Sequence, residues 1–350
     1  MSSTTPETTA ELHLTQQGGP FKLTQVPNTP SPPANQARLR LHAIGLNLLD
    51  KKQLDYGLFI PQYPFVLGGE GAGIVEAVGP DVKDFQPGDE VIAILSGKMR
   101  GFDWGGAYAE RSNVLADGGF FAARKPRNVG MGEAASLPVG YLTAVAVIAG
   151  SFGTPLAFLP ELENAGVVPS SVLVLGGSSV TGAAAIQLLR YAYPSMPIYA
   201  TSSRHNFDQV KAVGATEVFD YHSPSIVADI KAQTPGSKGV DTIFDFVAAG
   251  ASQTDICDVL DPAGLKQYGA VVTGVDISVP DGVKYAIKDA YDVSEMKGGG
   301  SVFPMLTQLV EEGKYKLPVE VKIEGHGLES IPQAVEKLPK VSGAKLVITL

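Results

Sequence analysis

The sequence predicts an α/β protein of two domains, a β-rich domain and a doubly wound parallel sheet, and three observations carry the prediction. Ser171–Arg190, SVLVLGGSSVTGAAAIQLLR, passes from apolar, β-branched residues through two glycines and a Ser-Ser pair into a periodic apolar segment: strand, tight turn, helix. Alternation then continues with a strand at Pro197–Thr201, a helix at Phe207–Val213, a strand at Glu217–Phe219, a helix at Pro224–Gln233 and a strand at Asp241–Val247. Such alternation implies right-handed parallel βαβ units. Earlier, Pro64–Val91 is punctuated by Gly68, Gly69, Gly71, Gly73 and Gly79 and by the turn Pro87-Gly88-Asp89, the pattern of short strands in a barrel or sandwich.

At 350 residues the chain is too long for one ordinary domain. Hydrophobic residues make up 44% and charged residues 18%, a globular balance. No uncharged apolar run is expected to approach the roughly 20 residues of a membrane helix, so no membrane partner is expected. The start, MSSTTPETTAELHL, lacks a basic patch before an apolar core and reads as a frayed tail, not a secretory signal. A net charge of −9 argues against nucleic acid as a partner. The single cysteine, Cys257, rules out a disulfide framework and a thiolate metal cluster; it reads as a small core residue on the helix after the Asp241 strand, in a cytoplasmic protein.

Taken in order, Ala37, Leu39, Leu41 and Ala43 alternate with Arg38, Arg40 and His42, which predicts a half-solvated antiparallel strand with His42 in water. Gly45–Gly57, GLNLLDKKQLDYG, is a loop or short helix dense in polar groups: Asn47, Asp50, Lys51 and Lys52. Gly105–Glu110 begins another strand. Met131–Ile148 reads as two helical pieces around Pro138-Val139-Gly140, and Ser151–Pro169 as a proline-spaced connector. The tail has strands at Val319–Ile323 and Lys345–Leu350 around a helix at Ile331–Leu338, and a terminal strand normally completes a sheet begun elsewhere. The expected domains are therefore 1–141, 142–305, and 306–350 returning to the first.

The turn Gly176-x-x-Ser179-x-x-Gly182 presents helix N–H groups that have no carbonyl partner, and small residues let a phosphate approach them. Gly176, Ser178, Ser179 and Val180 are the candidate cradle. A degenerate glycine turn also occurs in α/β proteins that bind no nucleotide.

Several spaced blocks together carry a resemblance: Pro64-x-x-x-Gly68-x-Glu70-x-x-Gly73-x-Val75-x-x-Val78-Gly79, Phe85-x-x-Gly88-Asp89-x-Val91, Gly105-Gly106-Ala107-Tyr108-Ala109-Glu110, and Ala135-x-Leu137-Pro138-x-x-x-x-Thr143-Ala144. From about Arg38 onward the chain resembles the medium-chain dehydrogenase/reductase superfamily. The resemblance implies a GroES-like catalytic domain, a Rossmann domain and a cleft between them. The early loop has no Cys and Gly69 stands where the zinc branch has a His, and one Cys with five His makes a poor ligand supply, so no metal is expected. What remains resembles the zinc-independent branch: quinone oxidoreductases and, through Asn47–Lys52 and SSRHNFDQVKAVGATEVFDY, trans-acting enoyl reductases. Leu48 stands where the usual proline follows the Asn.

The expected cofactor is NADPH. Where an NAD-binding sheet carries an acidic residue, this chain reads Thr201-Ser202-Ser203-Arg204-His205-Asn206, with no carboxylate to repel a 2′-phosphate and with Ser202, Ser203, Arg204 and His205 able to donate to it. Lys211 could add charge or simply face water. Tyr221 matches the family's adenine or phosphate contact, or is a sheet-end tyrosine; Phe246, Val247, Gly269 and Val271 are to hold the carboxamide end, and Lys345 is a further cofactor candidate. The chemistry implied is hydride addition to the β-carbon of an α,β-unsaturated carbonyl. By the resemblance Lys52 stabilises the developing oxyanion, the alternative being a plain surface lysine, while Asn47 and Thr143 frame nicotinamide and substrate; water is another proton source. Alternatives are quinone reduction and a non-catalytic NADPH-binding accessory protein. Substrates are then an enone, a quinone or an acyl thioester, with a synthase or carrier-protein partner and a monomer or homodimer. Pocket size falls to the loops Leu54–Tyr63, Lys98–Trp104 and Val283–Gly300.

Overall fold

The computed structural model describes residues 8–28, 31–163 and 165–350. They pack into two compact units, one running up to Val139 and including Val321–Val341 and Lys345–Leu350, the other comprising Gly140–Glu320 with Ser342–Ala344.

The first unit contains β1 (Thr8–Leu14), β2 (Phe21–Pro27), β3 (Gln36–Gly45), α1 (Leu48–Tyr56), β4 (Phe65–Val66), β5 (Glu70–Val78), β6 (Glu90–Ile94), β7 (Arg111–Leu115), β8 (Ala122–Arg124) and α2 (Met131–Ala134). The expected frayed tail falls partly on residues 1–7, outside the described residues; Thr8–Leu14 is instead a strand hydrogen-bonded between β2 and β4. Strand β3 departs from the half-solvated expectation: Ala37, Arg38, Leu39 and Leu41 are all buried, and His42 is half-buried with its Nε2 enclosed. Neighbours on both edges, β5 on one side and β7 on the other, leave only Arg40 clearly exposed. Burial of Arg38 is tolerated because Asn113 Oδ1 accepts from its Nε at 3.2 Å and Asn28 Oδ1 from its Nη1 at 3.1 Å. Gly105–Glu110 is not a strand; its N–H groups at Gly106, Ala107 and Tyr108 go to the carbonyls of Leu95, Gly68 and Leu67, and regular pairing starts at Arg111.

Helix α3 (Pro138–Phe152) begins where the two units divide. The break before Pro138 separates it from α2, as the sequence implies. The expectation about apolar runs needs correction. Met131–Phe152 is a 22-residue stretch of mean hydropathy 1.6, long and apolar enough to cross a membrane. Its apolar window is 78% buried inside the protein, which marks α2 and α3 as core helices.

The second unit continues with β9 (Val172–Leu175), α4 (Val180–Ala192), β10 (Ile198–Ser202), α5 (Phe207–Ala212), β11 (Glu217–Asp220), α6 (Ile226–Gln233), β12 (Thr242–Asp245), β13 (Gln267–Val271), β14 (Lys284–Lys288), α7 (Asp292–Glu295) and α8 (Val302–Glu311). Its sheet has the order β11-β10-β9-β12-β13-β14, with every pairing parallel. Cys257 is buried in the short 3₁₀ turn Ile256–Val259, and burial pushes its thiol up to about 11, so it is an inert core thiol. Residues 306–320 pack in this unit, not in the first as expected. Tyr315 meets Tyr141 edge to face at 5.6 Å, and the Lys316 N–H donates to Gln187 Oε1 at 3.0 Å. Beyond them β15 (Glu320–His326), α9 (Ile331–Lys337) and β16 (Ala344–Thr349) follow, and β16 pairs antiparallel with β3 in a seven-stranded sheet of the first unit.

Candidate cofactor and catalytic sites

The nucleotide turn lies at the C-terminal edge of the parallel sheet. Gly176 takes φ +78°, and a Cβ there would stand 2.4 Å from Val247 Cγ1, so only glycine fits between the turn and the end of β12. Gly182, in the first turn of α4, lies so close to the Gly176 carbonyl that a Cβ would fall 2.2 Å from it. Ser179 caps α4, its Oγ accepting from Gly182 N–H at 3.0 Å, which leaves the Val180 and Thr181 N–H groups without an intrahelical carbonyl. At the end of β10 the Ser202 hydroxyl is buried and has no hydrogen-bond partner among the described residues. A helix N-terminus ready for an anion, a cradle only glycine can line and an unsatisfied buried hydroxyl together fit a dinucleotide. Gly140 sits so near Val180 that its Cβ would be 2.7 Å from Cγ1, and Thr143, one turn along, lies buried on the same face of α3.

The loop after β10 departs from its sequence reading. Parallel pairing sets Ser202 opposite Asp220, so β11 delivers the carboxylate that the loop itself lacks. Asp220 Oδ2 accepts from Arg204 Nε at 2.8 Å, and its Oδ1 accepts from the His222 N–H and meets His222 Nδ1, each at 3.0 Å. The His222 N–H, then Arg204, hold this acid down at about 2. Nε is only one of five N–H donors on the guanidinium. The hydroxyls of Ser203 and Tyr221 are hydrogen-bonded at 3.1 Å, and the Tyr221 ring lies 4.1 Å from the His222 ring. His205 Nε2 lies 3.3 Å from Ser342 Oγ, and Lys211 pairs with Glu217 at 3.2 Å.

Past β12, Val247 is exposed beside Gly176 and Phe246 is buried. The turn is set by Asp245, which sequence reasoning missed although it ends the strand TIFD. Its fully buried carboxylate accepts from Tyr268 Oη at 2.6 Å, Val247 N–H at 2.9 Å and Gly250 N–H at 3.1 Å. Gly269 lies mid-strand between Phe244 and Ala286, with Ser151 packed so closely that a Cβ would meet Oγ at 2.9 Å. Val271 ends β13 opposite Lys288.

In the first unit, Lys345 and Asn47 meet over one buried carboxylate. Lys345 Nζ lies 2.5 Å from Glu70 Oε1 and 2.6 Å from Asn47 Oδ1. The same Glu70 oxygen accepts from Asn47 Nδ2 at 2.9 Å, and Oε2 accepts from Val139 N–H at 2.7 Å. Lys345 is thus ion-paired inside the unit, and both ends of the Asn47 amide are hydrogen-bonded at the head of α1. The Asn47 N–H donates to Asp50 Oδ2 at 2.8 Å. Asp50 is enclosed against the buried Tyr108, and burial raises its carboxyl to about 6. Lys52, one turn into α1, is half-buried, and burial lowers its ammonium below the usual lysine value. Lys51 is tied to Asp55 and to Glu336 of α9. Glu70 and Asp50 escaped sequence reasoning; the signal for Glu70 was its place in the Gly-x-Glu block.

These parts define a dinucleotide-dependent oxidoreductase with a β-rich partner unit. Residues 33–124 match the family described as Alcohol dehydrogenase GroES-like domain, and 181–282 match Zinc-binding dehydrogenase. The chain is 30% identical over 340 residues to Dehydrogenase azaJ of Aspergillus niger, covering 93% of this chain and 95% of that protein. It is 29% identical over 358 residues to Trans-enoyl reductase eqxC of Fusarium heterosporum, covering 96% and 97%. A solved alcohol dehydrogenase superfamily protein from Novosphingobium aromaticivorans superposes with a TM-score of 0.80 at 22% identity, over 98% of this chain and 99% of that one. The chain belongs to the medium-chain dehydrogenase/reductase superfamily, in its zinc-independent branch, whose members bind a nicotinamide dinucleotide.

Proposed function

We propose that the protein is an NADPH-dependent reductase of a carbon–carbon double bond activated by a carbonyl. The observation that carries the reading is Lys52: a half-buried ammonium with weakened proton affinity, on a short helix whose head is immobilised by the Asn47, Glu70 and Lys345 network. An acid made readier by burial suits an oxyanion that must be stabilised and then protonated at its α-carbon. Support for the substrate class comes from the relative named a trans-enoyl reductase. Support for NADPH comes from Arg204 and the hydroxyls of Ser202 and Ser203, held at the ends of β10 and β11.

A nicotinamide held at this site would supply the hydride for the β-carbon. The rest falls to the chain's own groups: Lys52 faces the carbonyl oxygen as charge builds there, and its proton goes to the α-carbon. Gly176, Ser178, Ser179 and Val180 are assigned to the pyrophosphate, Ser202, Ser203, Arg204, His205 and Tyr221 to the phosphorylated ribose and adenine, and Thr143, Phe246, Val247 and Val271 to the carboxamide end. The test is NADPH oxidation across 2-enoyl thioesters, simple enones and quinones. Reduction of the thioesters to saturated products is expected; turnover of quinones alone, or of none, overturns the reading.

A further inference from the structure

We infer that the exposed apolar side chains bracketing Lys52 grip the hydrocarbon tail of the substrate, which is therefore an unsaturated carbonyl on an extended apolar chain. The inference rests on the reading of Lys52 as the group at the reacting carbonyl. Leu48, Lys52 and Tyr56 recur at intervals of four on α1 and so share one face. Leu48 is 51% exposed and Tyr56 72% exposed, although both are large and apolar. Asp50, Gln53 and Leu54 are buried, Gln53 Nε2 donates to Met99 Sδ at 2.7 Å, and Lys51 is paired.

Further large apolar side chains are exposed just past the helix. Gly57 ends α1, and Tyr63 folds back until its hydroxyl lies 2.8 Å from where a Gly57 Cβ would stand. Between them Phe59 is 45% exposed and takes φ +59°, a left-handed conformation that bulky side chains rarely adopt. Strain of that kind persists where the surroundings enforce it, and it clusters at ligand clamps. A strained, half-exposed bulky ring contributes little to folding, and large apolar side chains left exposed on and just after the helix of a candidate catalytic lysine mark a binding surface.

Geometry sets the chain length. From Lys52 to Tyr56 is four helical residues, about 6 Å, so an acyl chain reaches Tyr56 only beyond about five carbons from its carbonyl. A short enone would leave the stripe in water; a long acyl group would cover it. Each methylene brought out of water is worth up to about a fourfold gain in binding.

The experiment compares 2-enoyl N-acetylcysteamine thioesters of about four and about twelve carbons, lengths either side of that reach, as substrates of the full-length protein, of Tyr56→Ser and of Phe59→Gly. Expected is a kcat/KM ratio of long to short well above one in the wild type. That ratio should fall about tenfold in each variant, through the KM of the long thioester. Phe59→Gly removes the ring while suiting the backbone, so its Tm should stay at or above the wild-type value, which separates recognition from folding. A wild-type ratio near one, or variants that leave the ratio unchanged, overturns the inference. So does a fall from dimer to monomer in Tyr56→Ser by sedimentation, which would give the stripe to a second copy of the chain. If the wild type reduces neither thioester, the reduction reading fails on its own. The tail inference is then decided by calorimetry with the saturated thioesters: tighter binding of the long one, lost in Tyr56→Ser, upholds it, and equal binding of the two overturns it.

Discussion

The Lys345 ammonium lies 2.5 Å from the Glu70 carboxylate, with neither side chain meeting solvent, across 275 residues of sequence. Strand β16 thereby fastens the end of the chain to β5, and through Asn47 to the head of the helix that carries Lys52. A buried pair of this kind adds little net stability over an apolar pair, but breaking it leaves a charge stranded. Lys345→Met alone should cost about 3 to 5 kcal/mol, and Lys345→Met with Glu70→Gln should recover most of that. Urea unfolding of the singles and the double checks it; a double variant no more stable than Lys345→Met would show that the pair is not the source.

Asp50 gives a prediction in pH. Burial raises its carboxyl from 3.8 to about 6 in the folded protein, so its contribution to stability is fully present below about 4 and is lost as pH rises through about 6. Asp50→Asn keeps an acceptor for the Asn47 N–H without the charge. It should raise stability at pH 8 by on the order of 2 kcal/mol and change it little at pH 4. Unfolding at the two pH values measures this, and equal effects at both would contradict it.

At Lys52 stability and turnover oppose each other. Burial lowers the ammonium below its ordinary 10.5, so the folded state resists charging it, and neutral Lys52→Met should raise Tm slightly. The same change should lower kcat by about a hundredfold while leaving NADPH binding intact, as loss of an acid does. The wild-type kcat should fall on the alkaline side before an ordinary lysine titrates. An unchanged kcat on the substrate would remove Lys52 from the chemistry.

Arg204→Ala should weaken NADPH by about tenfold or more and NADH little, because only the 2′-phosphate needs its charge. Asp220→Asn, which frees the guanidinium from its carboxylate, tests the partner's part in orienting it. Titration of both coenzymes by fluorescence decides the matter: equal losses in Arg204→Ala would show that Arg204 does not read the phosphate.

Local sequence determined much of this protein. The strand–turn–helix at Ser171–Arg190, the βαβ alternation behind it and the spaced blocks of the family are all properties of neighbouring residues, and neighbours fix period, turn chemistry and glycine placement. Only tertiary structure decided which charges meet. Asp220 reaches Arg204 because parallel β10 and β11 end in register, and Lys345 reaches Glu70 because both belong to one seven-stranded sheet. The burial of Arg38, the core position of Met131–Phe152 and the return of Lys316 to the second unit likewise depend on what packs against them. Burial and charge pairing are set by distances through space, and a pair separated by 275 residues leaves no periodic trace in the chain.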